Sequence, residues 1–143
     1  MYKTLLLSID LQDSASWTKA LPTALALCKT FDATLHMLTV VPELPSYVVG
    51  TFLPENTGET LVKTAHDELA AFATERCGDQ PVKTHVMVGG VYASILALAE
   101  DLKVDLIVMG SHRPEMSDYL LGPNAARVVR HSDCSVMVVR ADS

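Results

Sequence analysis

The stretch 104–140 reads VDLIVMGSHRPEMSDYLLGPNAARVVRHSDCSVMVVR, and it decides the fold. Its first apolar run, residues 106–109, ends at Gly110, and a second apolar run, residues 136–139, lies near its end. Short, continuous apolar runs are typical of strands that are buried on both faces of a sheet. Between them a polar loop leads to Gly122-Pro123-Asn124, which opens a helical pattern. The stretch therefore predicts a strand–loop–helix–strand unit.

The rest of the chain repeats this alternation. Apolar runs predict earlier strands at 2–10, 33–40 and 82–88, and helical spacing predicts helices at 17–30, 57–77 and 92–102. With a strand at 104–110, a helix at 124–131 and a strand at 135–140, five strands alternate with four helices. This pattern predicts a single α/β domain over residues 1–143, an open, doubly wound parallel sheet with helices on both faces. We expect the strand order 3-2-1-4-5, with the alternating strand 82–88 at an edge.

Composition limits the classes of function. With 143 residues, 49% of them hydrophobic and 20% charged, the chain is typical of one globular domain. The formal net charge of −6 argues against a nucleic-acid binder or an anionic-membrane binder. Three irregularly spaced cysteines, no window of transmembrane length and no signal-peptide pattern favour a cytoplasmic protein.

Ligands of such sheets bind at the carboxyl ends of the strands, where the strand order reverses. Those ends carry Ser8, Ile9 and Asp10 on the first strand and Met109 and Gly110 on the fourth. The tip at Val40 lies alongside. The Asp10 carboxylate suits a ribose or adenine donor, and it suits a turn or helix cap equally well. Gly110 either lets a ligand approach the backbone or ends its strand.

The helix that opens at Gly122-Pro123-Asn124 suits an anion, because the first N–H groups of a helix lack intrahelical partners. We expect the N–H groups of Asn124, Ala125 and Ala126 to be available to a phosphate. Arg113 offers a bidentate fork for the same group, or is an exposed loop cation. His112 and His131 are candidates for acid–base chemistry, but no nucleophile stands at a motif spacing from them, which favours surface or capping roles. The sequence contains neither a Gly-x-x-x-x-Gly-Lys-Ser/Thr loop nor Gly-x-Gly-x-x-Gly.

The run SHRPEMSDYLLGPNAARVVRHSDCSVMVVR closely resembles the end of small bacterial universal stress proteins, in particular the F and G types. The opening LLLSIDLQDS and the segment LTVVPELPSY are similar to that group as well. The resemblance implies the adenine nucleotide alpha hydrolase-like fold, a homodimer, and ATP or AMP, with or without Mg²⁺, in a pocket at the carboxyl end of the sheet. It assigns Ser8, Ile9, Asp10, Val40 and Met109 to the adenosine side.

Nucleotide-binding members carry Gly, two residues, Gly, nine residues, Gly, and then Ser or Thr. Gly110 matches the first glycine, Arg113 replaces the second, and eight residues precede Gly122. The F and G types share the arginine and the shorter loop. Pro123 differs, because it stands where Ser or Thr offers a hydroxyl and an N–H, and Asn124 is the candidate to substitute.

These observations lead to three hypotheses. The first is a homodimeric, adenine-nucleotide-binding stress protein that regulates survival rather than turning over substrate. The second, motivated by Pro123, is a dimeric interaction module that binds no nucleotide. The third is a slow ATPase or autophosphorylating protein that uses Asp10 or His112. In all three, the apolar last strand SVMVVR pairs with its copy in a second chain.

Overall fold

The computed structural model describes residues 1–43, 57–111 and 121–140. Within them the chain forms one five-stranded parallel sheet in the order β3-β2-β1-β4-β5. Its strands are β1 (Thr4–Ser8), β2 (Thr34–Val41), β3 (Val82–Val88), β4 (Leu106–Ser111) and β5 (Ser135–Arg140). The predicted α/β class, the strand order and the edge position of β3 are confirmed.

Helices cover both faces of this sheet. They are α1 (Ala20–Phe31), α2 (Thr57–Arg76), α3 (Val91–Leu102) and α4 (Pro123–His131). Alternate residues of β1 point to opposite faces: Leu5 and Leu7 pack in one core cluster with α1 and α2, and Leu6 packs in a second with α3 and α4. This explains why the central strands read as continuous apolar runs. Of the helices described, none is both long and apolar enough to cross a membrane.

The entry into α1 differs from the sequence-based expectation. The carboxylate of Asp13 caps a short 3-10 helix, Ser14–Ser16, by accepting a hydrogen bond from the N–H of Ala15 at 3.1 Å. Trp17 then leaves helical geometry, with φ −131°, so α1 begins only at Ala20 and without a side-chain cap. Pro22 consequently falls in the first turn of α1, where its missing N–H costs no helical hydrogen bond.

All three cysteines are free thiols. Cys28 lies on α1 and Cys77 follows α2, and both are buried in the same core cluster. Burial, with a smaller contribution from Cys77, raises the pKa of the Cys28 thiol to about 11, and burial also raises the pKa of Cys77. Both thiols therefore stay protonated at neutral pH and act as small core side chains.

Candidate functional site

A cavity of about 800 Å³ opens at the carboxyl ends of β1, β2 and β4, where the sequence places the site. Its volume lies in the range of about 300–1,000 Å³ that is usual for small-molecule sites. Its walls come from the tips of these strands, the 3-10 helix, residues 61–68 of α2 and the starts of α3 and α4. The chain runs from β1 through β2 to β3 on one side and then returns to β4 on the other side of β1, so the strand order reverses between β1 and β4.

Most of the residues predicted from the sequence lie in this cavity. Nine of them line it: Ser8, Ile9, Asp10, Val40, Met109, Gly110, Gly122, Asn124 and Ala125. Pro123 is the exposed first residue of α4 and is not part of the lining. His131 ends α4 on the surface. His112 and Arg113 lie outside the described residues.

Position 110 requires a glycine for a reason that neither sequence-based interpretation gave. A Cβ at this position would lie 2.6 Å from the backbone oxygen of Ser16 and 3.2 Å from that of Ala15. The missing side chain thus makes room for the 3-10 helix rather than for a ligand alone. The strand does not end there either, because β4 runs on to Ser111. Gly110 lets the 3-10 helix close over the β4 tip and form a wall of the cavity.

Asp10 organises the turn at the tip of β1. Its Oδ1 accepts a hydrogen bond from the N–H of Gln12 at 2.9 Å, and its own N–H donates to the Ser16 hydroxyl at 2.9 Å. The turn role expected as one alternative is therefore present. The side chain remains exposed and lines the cavity, so its second carboxylate oxygen is the group left for a ligand.

The start of α4 lies beside the β4 tip. The N–H of Gly122 donates to the Ser111 hydroxyl at 3.4 Å, which joins the end of β4 to the residue before α4. Gly122 is the N-cap and contributes no side-chain cap. The N–H of Ala126 donates to the Gly122 carbonyl at 3.0 Å, so the expectation that this group is available was wrong. The N–H groups of Asn124 and Ala125 precede the first intrahelical bond.

Asn124 connects two helix starts. Its side-chain Oδ1 accepts a hydrogen bond from the backbone N–H of Tyr92, the second residue of α3, at 3.2 Å. The guanidinium of Arg127 lies 4.9 Å from the centre of the Tyr92 ring and forms a cation–π contact between the two helices. The starts of α3 and α4 are thus held side by side at the cavity.

Sequence reasoning missed the α2 wall. Leu61, Thr64, Ala65 and Glu68 line the cavity and follow helical spacing, so one stripe of α2 faces it. That periodicity was visible in the sequence, but it did not show which strand tips the stripe would reach. The Glu68 side chain is exposed, and it also borders the cavity.

The described lining is acidic on one side. Three carboxylates line the cavity, those of Asp10, Asp13 and Glu68, and among the described lining residues there is no lysine, arginine or histidine. The anion-favouring groups come from the start of α4. In the described part of the chain, no group of three or more His, Cys, Asp or Glu side chains is placed to hold a metal ion.

Comparison with known proteins gives consistent results. Residues 1–140 match the model of the Universal stress protein family. Universal stress protein G of Escherichia coli O157:H7 is 34% identical over 143 residues, covering 98% of this chain and 100% of that protein. Universal stress protein A homolog 1 of Coxiella burnetii is 31% identical over 142 residues, covering 96% of each.

Solved structures share the fold over the same length. The hypothetical protein MJ0577 superposes with a TM-score of 0.74 at 28% identity and covers 100% of this chain and 99% of its own. A universal stress protein in complex with cAMP has a TM-score of 0.65 at 22% identity, with 99% and 98% covered. The full-length family match and the relatives above 30% identity together establish the family. This chain belongs to the universal stress protein family.

Proposed function

We propose that this protein binds an adenine nucleotide, ATP or AMP, in the cavity at the carboxyl ends of β1, β2 and β4, and acts as a regulator in the cytoplasm. One observation carries the proposal: strand tips at the topological switch point and the start of α4 line one cavity of about 800 Å³. A protein of the same fold holds cAMP, so the fold accommodates an adenine nucleotide.

The described walls suggest how the ligand is oriented. The half-buried Val40 and the buried Met109 offer apolar surface to a base, and Asp10 offers a carboxylate oxygen to a ribose hydroxyl. The phosphates belong at the start of α4, near Gly122 and Ala125, because the three carboxylates of the lining repel them elsewhere. Arg113 is the candidate cation for the same end, and Mg²⁺ the candidate counter-ion.

Direct binding measurements test this proposal. We expect saturable binding of ATP and AMP at micromolar concentration by isothermal titration calorimetry. Mass spectrometry of the small molecules released on denaturing the freshly purified protein identifies any retained nucleotide. Absence of saturable binding up to millimolar ATP and AMP, with and without Mg²⁺, would refute it. Phosphate release no faster than the buffer background, in wild type and His112→Ala alike, separates the regulator from a slow ATPase.

A second candidate function is an interaction module that binds no nucleotide. Two features favour it: Pro123 lacks the hydroxyl and the N–H that a phosphate would accept from Ser or Thr, and the described lining contains three carboxylates without a cation. The binding measurements above decide between the two candidates.

We also propose a homodimer formed through β5. This strand ends the sheet, and its central residues are apolar and only half-buried, whereas the other edge strand, β3, carries Lys83, Thr84 and His85. An apolar strand at the edge of a sheet favours pairing with a second copy. Sedimentation at micromolar concentration should show a dimer, and a monomer across the concentration series would contradict the proposal. The net charge of −6 argues against nucleic acid as a further partner.

A further inference from the structure

We propose that the side-chain amide of Asn124 supplies the phosphate hydrogen bond that Pro123 lacks, and so makes the cavity prefer nucleotides to nucleosides. This inference rests on the proposed nucleotide binding and assigns one of its specificity-determining groups. In this chain proline follows the glycine at the start of α4, and Asn124 comes next.

The hydrogen bond to Tyr92 fixes what Asn124 can offer. An amide side chain carries one acceptor oxygen and one NH₂ group with two donors. The oxygen already accepts from the Tyr92 N–H at 3.2 Å, within the first turn of α3. The group left for a ligand is therefore the NH₂, which can only donate. A donor in this position favours an anion over a neutral ligand.

The other residues of the first turn of α4 do not offer the same chemistry. Gly122 has no side chain, Pro123 has neither an N–H nor a polar side-chain atom, and the Ala125 side chain is a methyl group. Of these positions, Asn124 is the one that lines the cavity and carries a side-chain donor. Its amide adds to the backbone N–H groups of the first helical turn, which favour negative charge.

Asn124 also holds α3 against α4, so a test must separate binding from positioning. Arg127 supplies the matched control, because it contacts the Tyr92 ring in the same helix pair and does not line the cavity. Arg127→Lys keeps the positive charge but replaces the planar guanidinium that stacks on the ring. It loosens the helix pair without removing a donor from the cavity.

The experiment compares AMP, ATP and adenosine binding by calorimetry in wild type, Asn124→Ala, Asn124→Asp and Arg127→Lys. For Asn124→Ala we expect about tenfold weaker binding of AMP and ATP, the usual effect of losing a charge-assisted hydrogen bond, with adenosine binding unchanged. Asn124→Asp should keep the wild-type melting temperature, because Asp accepts from Tyr92 and suits a helix start. It should nevertheless lose AMP and ATP binding.

Three results would overturn the inference. Equal weakening of AMP and adenosine in Asn124→Ala would mean that Asn124 only positions α4. The same phosphate-selective loss in Arg127→Lys would trace the effect to the helix pair. Unchanged AMP binding in Asn124→Asp, with its melting temperature kept, would show that the amide makes no contact with phosphate. A wild type that binds neither AMP nor adenosine is a different outcome, because there the proposed function itself fails.

Discussion

The amino and carboxyl ends of the β1–β4 strand pair differ in what their backbone groups face. At the amino end, the Asp105 carboxylate accepts from the backbone N–H groups of Lys3 at 2.9 Å and Thr4 at 3.1 Å, so the chain satisfies its own donors. At the carboxyl end, the strand tips and the start of α4 face a cavity. We infer that the amino end of the strand pair contributes to stability, and we propose that the carboxyl end serves ligand binding.

The largest expected effect on stability is at the amino end. Asp105→Ala removes two charge-assisted hydrogen bonds, and we expect the free energy of unfolding to fall by about 2–4 kcal/mol. Nucleotide affinity should not change, because Asp105 is not part of the cavity lining. Chemical denaturation and calorimetry measure the two quantities. Asp105→Asn keeps one acceptor oxygen, so its free energy of unfolding should fall by roughly half as much. A matching loss of affinity in Asp105→Ala would break the division between the two ends.

Gly110 is the position where the two roles coincide. A Cβ there overlaps the backbone oxygen of Ser16 at 2.6 Å, and backbone atoms cannot swing aside as a flexible side chain does. We expect Gly110→Ala to lower the free energy of unfolding by about 1–3 kcal/mol, as overpacking does, and to weaken nucleotide binding by displacing the 3-10 helix.

Gly58→Ala is the control for this substitution. Gly58 lies in α2, and a Cβ there would meet no atom within 4 Å. Alanine suits a helix better than glycine, so this variant should be neutral or more stable by up to about 1 kcal/mol. Equal melting temperatures of Gly110→Ala and Gly58→Ala would contradict the close approach of the 3-10 helix to β4.

A proton-sensitive pair lies away from both ends. His36 Nδ1 and His85 Nε2 are hydrogen-bonded at 2.9 Å between β2 and β3. Burial lowers the pKa of both rings; His85 and Lys83 add to the effect at His36, and Lys83 and His66 add to it at His85. A base whose pKa is lower in the folded state binds fewer protons there than in the unfolded chain.

The contribution of this pair to the free energy of unfolding should therefore be fully present above pH 6.5, the pKa of a histidine in the unfolded chain. It should decrease as the pH falls below that value. The expected decrease in the free energy of unfolding is smaller than that in Gly110→Ala, because His85 is only half-buried and keeps part of its hydration. Melting temperatures from pH 8 to pH 5 measure it. His85→Gln should reduce the slope, and an equal slope in that variant would assign the pH dependence to other groups.

Much of the fold could be predicted from the sequence, since buried parallel strands are apolar on both faces and are recognisable as runs. Pairings across the sheet could not. The His36–His85 bond depends on a register in which His85 lies opposite Leu38, and the Asp105 bonds join residues about a hundred positions apart. Such contacts follow from the register and are not encoded in local spacing.

The candidate site divides in the same way. The strand tips and the start of α4 were predictable, because topology alone places them at the switch point. The contributions of Ser16 and α2 were not, since they depend on how a short 3-10 helix and a neighbouring helix pack. The same limit applies to Asn124, whose remaining donor becomes evident only once its oxygen is seen to be bound to Tyr92.

The smallest expected effect is at the α2 wall and tests whether phosphate charge matters at the carboxyl end. Glu68 is exposed and lines the cavity, so its carboxylate would repel a triphosphate in the cavity only weakly through water. Glu68→Gln should strengthen ATP binding by about two- to fivefold, which corresponds to roughly 0.4–1 kcal/mol, and should leave adenosine unchanged. Glu75→Gln, a like change outside the lining, is the control. Because screening weakens interactions between exposed charges, the gain for ATP should shrink as salt is raised, and a gain that persists in high salt would point to a contact rather than to charge.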